Sequence, residues 1–121
     1  MNSSIRILVA EDESDLRELL REFLAEQGYT VSVVPTGADA LAALSLFEPD
    51  VLLVDMLMPG LSGQDVVDAM RRRGCAVPAI LMTGTPTSAQ GFFSVLEKPF
   101  KLEAVAEVVA AAGRDARTSG A

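Results

Sequence analysis

Five side chains hold the chemistry open to this sequence: Glu11, Asp12, Asp55, Thr83 and Lys98. Each stands at the end of a short apolar run. "RILVA" at 6–10 leads into Glu11, Asp12 and Glu13, "VLLVD" at 51–55 stops on Asp55, "AILMT" at 79–83 stops on Thr83, and "SVLEK" at 94–98 stops on Lys98. Singly, each has an ordinary explanation, since acids mark turns and caps, threonine suits strands and lysine is mostly solvated. Together they ask for another, because parallel strands would bring all of them to one sheet edge. Carboxylates gathered there repel one another unless a cation joins them. Oxygen donors without His or Cys suit a hard ion, most naturally Mg2+ with several retained waters. A carboxylate beside Mg2+, a hydroxyl and an ammonium make a phosphoryl-transfer site. Asp55 would be the nucleophile and become an aspartyl-phosphate, with Mg2+ and Lys98 neutralising the phosphoryl oxygens.

The elements between these residues must supply that edge. "SDLRELLREFLAEQG" at 14–28 has an apolar stripe of Leu16, Leu19, Leu20, Phe23 and Leu24, with Ser14 placed as N-cap and Gly28 as the stop. "TVSVV" at 30–34 alternates as a strand does, and "TGADALAALSLF" at 36–47 reads as a helix broken by Glu48-Pro49-Asp50. Ser62, with Asp65 three residues later, opens a helix running to about Arg73. "KLEAVAEVVAAAG" at 101–113 is a last amphipathic helix, and "RDARTSGA" reads as a frayed tail. Strands 51–55 and 79–83 are continuously apolar, the mark of strands covered on both faces. Alternating strands and helices imply a parallel α/β sheet with helices on both faces, which binds ligands beyond the carboxyl ends of its strands. The expected organisation is one domain over 1–113 and a flexible tail over 114–121.

Composition narrows the classes further. The chain has 121 residues and is 50% hydrophobic, enough for a real core and too apolar for disorder. A formal net charge of −7 argues against unassisted nucleic-acid binding. The absence of histidine removes His triads, His metal sites and phosphohistidine chemistry within this chain, and the single Cys75 cannot form an internal disulfide. The opening "MNSSIRILVAEDE" is too short in its apolar run for a signal peptide, and no stretch is long enough to span a bilayer. The expectation is a soluble, cytoplasmic protein without a membrane partner.

Four stretches in this order, "ILVAEDE", "DVLLVDMLMPGLSG", "ILMTGT" and "VLEKPF", resemble the receiver domain of two-component response regulators over essentially the whole chain. The resemblance implies a flavodoxin-like, doubly wound five-stranded parallel sheet of order 2-1-3-4-5. It implies that Asp55 is the phospho-acceptor, that Asp12 and Asp55 ligate Mg2+ directly with Glu11 acting through water, and that the backbone carbonyl of Leu57 adds a ligand. Thr83 would be the switch hydroxyl and Lys98 the phosphate-binding lysine, aimed inward by a cis Lys98-Pro99 peptide. The donor would be a histidine kinase or histidine phosphotransfer protein, and the signal would leave through a downstream protein target.

Two departures from the family pattern stand out. The aromatic switch residue three positions before the lysine is replaced by Val95; Phe92 and Phe93 lie nearby and are read first as core residues. The segment between Thr83 and Lys98 is short by roughly two helical turns. "GTPTSAQGFFS" has no helical stripe, so the helix that receivers carry here is expected to be shortened or replaced by a mobile loop over 85–91, as in a subset of stand-alone, chemotaxis-receiver-like proteins. Leu57 and Thr85, two residues after Asp55 and Thr83, occupy the positions that tune dephosphorylation in receivers. Two other readings remain open: a receiver fragment of a hybrid histidine kinase, and an Asp-nucleophile Mg2+-dependent phosphatase. The latter needs an acid/base Asp where this chain has Leu57.

Overall fold

Side chains alternate along each strand, and this alternation splits the core into two layers. In the computed structural model, which describes residues 4–85 and 90–119, the strands are β1 (Arg6–Ala10), β2 (Thr30–Val34), β3 (Val51–Asp55), β4 (Ala79–Thr83) and β5 (Ser94–Glu97). The helices are α1 (Ser14–Glu26), α2 (Gly37–Phe47), α3 (Gly63–Arg72) and α4 (Leu102–Ser119). The strands form one parallel sheet of order β2-β1-β3-β4-β5. Ile7, Val9, Leu53, Ile80 and Met82 face a layer shared with Leu20 and Leu24 of α1 and Val105 and Val109 of α4. Leu8, Ala10, Leu52, Val54 and Leu81 face the other way, onto Ala40 of α2 and Val66, Val67 and Met70 of α3. This is the flavodoxin-like, doubly wound arrangement. β3 and β4 are buried along their whole length, which explains their unbroken apolar sequence. Among the described residues no helix is long and apolar enough to cross a membrane.

Local signals hold at most element ends. Thr36 caps α2 by accepting from the Asp39 amide, and Ser62 and Asp65 form a reciprocal capping box on α3. Two expectations change. The N-cap of α1 is Glu13, not Ser14, and it caps without a side-chain hydrogen bond. Its amide instead donates to the Glu11 carboxylate at 3.1 Å, just ahead of the helix.

The second change concerns the last helix. It continues through Gly113 to Ser119, so residues 114–119 are helical rather than frayed. Gly113 is buried, and a Cβ there would lie 3.6 Å from Ile5, so close packing carries the helix past a residue that usually weakens one by about 1 kcal/mol. Gly84, Thr85 and Gln90–Phe93 are not helical, so no full-length helix is described between β4 and β5. Most of the expected mobile loop, residues 86–89, lies outside the described residues.

Candidate functional site

The parallel sheet delivers the predicted residues to one edge. Glu11 and Asp12 follow β1, Asp55 closes β3, Thr83 closes β4 and Lys98 follows β5. Glu11, Asp55 and Thr83 are the buried polar residues of the described chain, at 1%, 5% and 3% exposure, while Asp12 stays exposed at the rim. A carboxylate oxygen from each of Glu11, Asp12 and Asp55 lies within 4.8 Å of the others. The Lys98 Nζ donates to Glu11 Oε1 and to Asp55 Oδ2, both at 3.2 Å. The Lys98-Pro99 peptide is cis. A cavity of about 380 Å3, lined by Glu13, Leu16, Lys98, Pro99 and Phe100, opens beside the ammonium.

The electrostatics follow from this packing. Burial pushes Glu11 up from an ordinary 4.5 to about 7, with the amide of Glu13 opposing the rise and Asp55 adding to it. Burial works to lower Lys98, yet the charges of Glu11 and Asp55 outweigh it and hold the ammonium above the usual lysine range. Among the described residues the Lys98 ammonium thus serves the two buried carboxylates, with the Asp12 carboxylate alongside at the rim. The cluster is short of positive charge and rich in oxygen donors, and it fits a hard divalent ion.

Glycine makes the edge possible at one point. A Cβ on Gly63 would sit 2.7 Å from the Asp55 carbonyl oxygen, so only glycine lets α3 start this close to the end of β3. The Gly63 amide donates to the Met56 carbonyl at 2.9 Å and fastens the turn. The Leu57 amide points at Asp55 Oδ1 from 3.4 Å, and the Leu57 side chain is 74% exposed.

Not every predicted residue meets the acids. The Thr83 hydroxyl donates to the Thr85 carbonyl at 3.0 Å and accepts from the Thr85 amide at 3.2 Å, a closed turn within its own loop. Val95, at the aromatic position, is 44% exposed on the edge strand. Phe92 packs against the α2–α3 layer as a core residue, whereas Phe93 is 40% exposed. The sequence reading also missed Arg17 and Glu13. The Arg17 guanidinium donates to the carbonyls of Glu11 at 2.9 Å and Asp12 at 3.3 Å, and the Glu13 amide donates to Glu11 Oε2 at 3.1 Å. Glu13 stood in the acidic run, but nothing in the spacing marked Arg17 as a brace for it.

Known proteins resemble this chain in sequence and in fold. Residues 7–110 match the family model for the response regulator receiver domain. The chain is 36% identical over 107 residues to the response regulator MprA of Mycobacterium ulcerans (strain Agy99), an alignment covering 83% of this chain and 46% of MprA. It therefore spans about half the length of the curated relatives it matches. Response regulator protein TrrA of Thermotoga maritima, solved in complex with Mg2+-BeF, superposes with a TM-score of 0.81 at 31% identity, covering 88% of this chain and 97% of that one. The chemotaxis protein CheY4 of Vibrio cholerae has the same fold, with a TM-score of 0.85 at 24% identity over 91% of this chain and 99% of that one.

Proposed function

We propose a function from one premise, that this chain belongs to the response regulator receiver domain family: Asp55 accepts a phosphoryl group and the domain passes on the change. The observation that carries the reading is the buried Asp55 carboxylate with the Lys98 ammonium 3.2 Å away and two further acids alongside. A carboxylate oxygen of Asp55 attacks phosphorus while the P–N bond of a phosphohistidine breaks, and the donor imidazole leaves. That histidine belongs to a histidine kinase or phosphotransfer protein, since this chain has none. Lys98, fixed between Glu11 and Asp55, faces the incoming phosphoryl oxygens with a charge that burial has not removed. Mg2+ would be held by Asp12, Asp55 and the Leu57 carbonyl, with Glu11 acting through water; when bound it supplies charge neutralisation for the transferring group.

Phosphorylation offers the Thr83 hydroxyl a stronger acceptor than the Thr85 carbonyl, and exchanging one for the other moves the loop that follows. A downstream protein reads that movement. The chemistry is confined to the chain's own aspartate, and neither nucleic acid nor membrane is a direct partner in this reading.

Acetyl phosphate and Mg2+ provide the test. Intact mass should show one phosphoryl group per chain in the wild type and none in Asp55→Asn, without catalytic release of phosphate from small esters. Labelling that persists in Asp55→Asn, or multiple-turnover ester hydrolysis, would overturn the assignment.

A further inference from the structure

The chain returning from Thr83 to β5 is tied to α3 by polar side chains. Gln64, the second residue of α3, forms a closed pair with the backbone of Gln90: its Nε2 donates to the Gln90 carbonyl at 2.9 Å and its Oε1 accepts from the Gln90 amide at 3.2 Å. The same Nε2 donates to Asp68 Oδ1 at 3.0 Å, which orients the amide. Two helical turns on, Arg71 donates to the Gly91 carbonyl at 3.1 Å while bracing the carbonyls of Cys75 and Val77. Gly91 itself, at φ +87, lies over Val67 of α3. Gln90 thus has both backbone groups satisfied as a neighbouring strand would satisfy them, by one side chain. Glutamine is suited to this, since an acid cannot donate and a base cannot accept.

The position of Gln64 matters as much as its bonds. Its neighbour Gly63 is pressed against the Asp55 carbonyl and bonded to Met56. The N-terminus of α3 is therefore a common reference for the turn bearing Asp55 and for the far end of the chain that starts at Thr83. We propose that Gln64 is a positioning residue for the Thr83 switch, a role that rests on Asp55 being the phospho-acceptor. By pinning Gln90 to α3 it fixes the β5 end of the connection from Thr83, so that less ordering remains to be done when the hydroxyl engages a phosphoryl group.

Gln64→Ala and Gln64→Glu test this on the full chain. The glutamate keeps the size of the side chain and loses the donor. Amide hydrogen exchange at Gln90, affinity for Mg2+ alone and affinity for beryllofluoride with Mg2+ are read for each. Both variants should exchange faster at Gln90, bind Mg2+ as the wild type does, and bind beryllofluoride about fivefold more weakly or worse, the lower end of ordinary coupling between sites. Unchanged exchange at Gln90 overturns the pin. Faster exchange with unchanged beryllofluoride affinity overturns the positioning role, and so does a Gln64→Glu variant that matches the wild type. A wild type that binds no beryllofluoride overturns the Asp55 reading instead.

Discussion

Removing one buried carboxyl group should change how the metal-free protein responds to pH. Glu11 sits almost wholly inside the fold, and its carboxyl there holds a proton up to about 7, whereas in the unfolded chain it loses that proton near 4.5. Between those values the folded state binds more protons than the unfolded state, so stability falls as pH rises across the window. The contribution is fully present below 4.5 and lost above about 7. At about 1.4 kcal/mol per pH decade, the gap amounts to roughly 3 kcal/mol, a large share of the stability of a domain this size. Lys98 stays out of the window: raised above 10.5, it contributes stability below that value and loses it only in strong alkali.

Urea unfolding in EDTA at half-unit steps from pH 4.5 to 8, on wild type and Glu11→Gln, isolates the effect. Glutamine keeps the size of the side chain and cannot titrate. The stability of the wild type relative to the variant should fall by roughly 3 kcal/mol across the range. A difference that stays flat, or one that grows with pH, would refute the reasoning about buried charge.

Other perturbations probe the same edge. Asp12→Ala should raise the melting temperature of the metal-free protein slightly, by relieving repulsion at an exposed carboxylate, and should abolish the rise on adding Mg2+; calorimetry with and without Mg2+ decides both. Leu57→Asn should speed loss of the phosphoryl group from Asp55 by about fivefold, because an amide at this exposed position can orient a water where leucine cannot, and timed phosphate release measures it. Gly63→Ala should destabilise by about 1–3 kcal/mol and disturb labelling as well, since its Cβ would press on the Asp55 carbonyl from 2.7 Å. Denaturant midpoints and labelling yield, measured together, check that pairing.

The sequence disclosed the site more fully than its inner connections. β1, β3 and β4 were legible because burial on both faces demands unbroken apolar runs, and each run ended on, or just before, a residue that lines the edge. The strand order could not come from those runs, which carry no information about neighbours; it came from the family resemblance. Arg17 was invisible because its contacts are to backbone carbonyls, which every residue possesses. The closed turn of Thr83 on Thr85 was hidden for the same reason. Gly113 misled because its isolated propensity says stop, while its packing on Ile5, a residue more than a hundred positions away, says continue.

That continuation sets how far the last helix reaches. α4 starts beside Lys98 at the reactive edge and runs back along the sheet until Gly113 draws level with Ile5, just ahead of β1. The six further residues to Ser119 carry it about 9 Å beyond, at 1.5 Å per residue. The helix thus runs from the reactive edge to the side of the sheet opposite Asp55. A surface tether, a dye or a fused polypeptide attached at that end would be held away from the donor's approach.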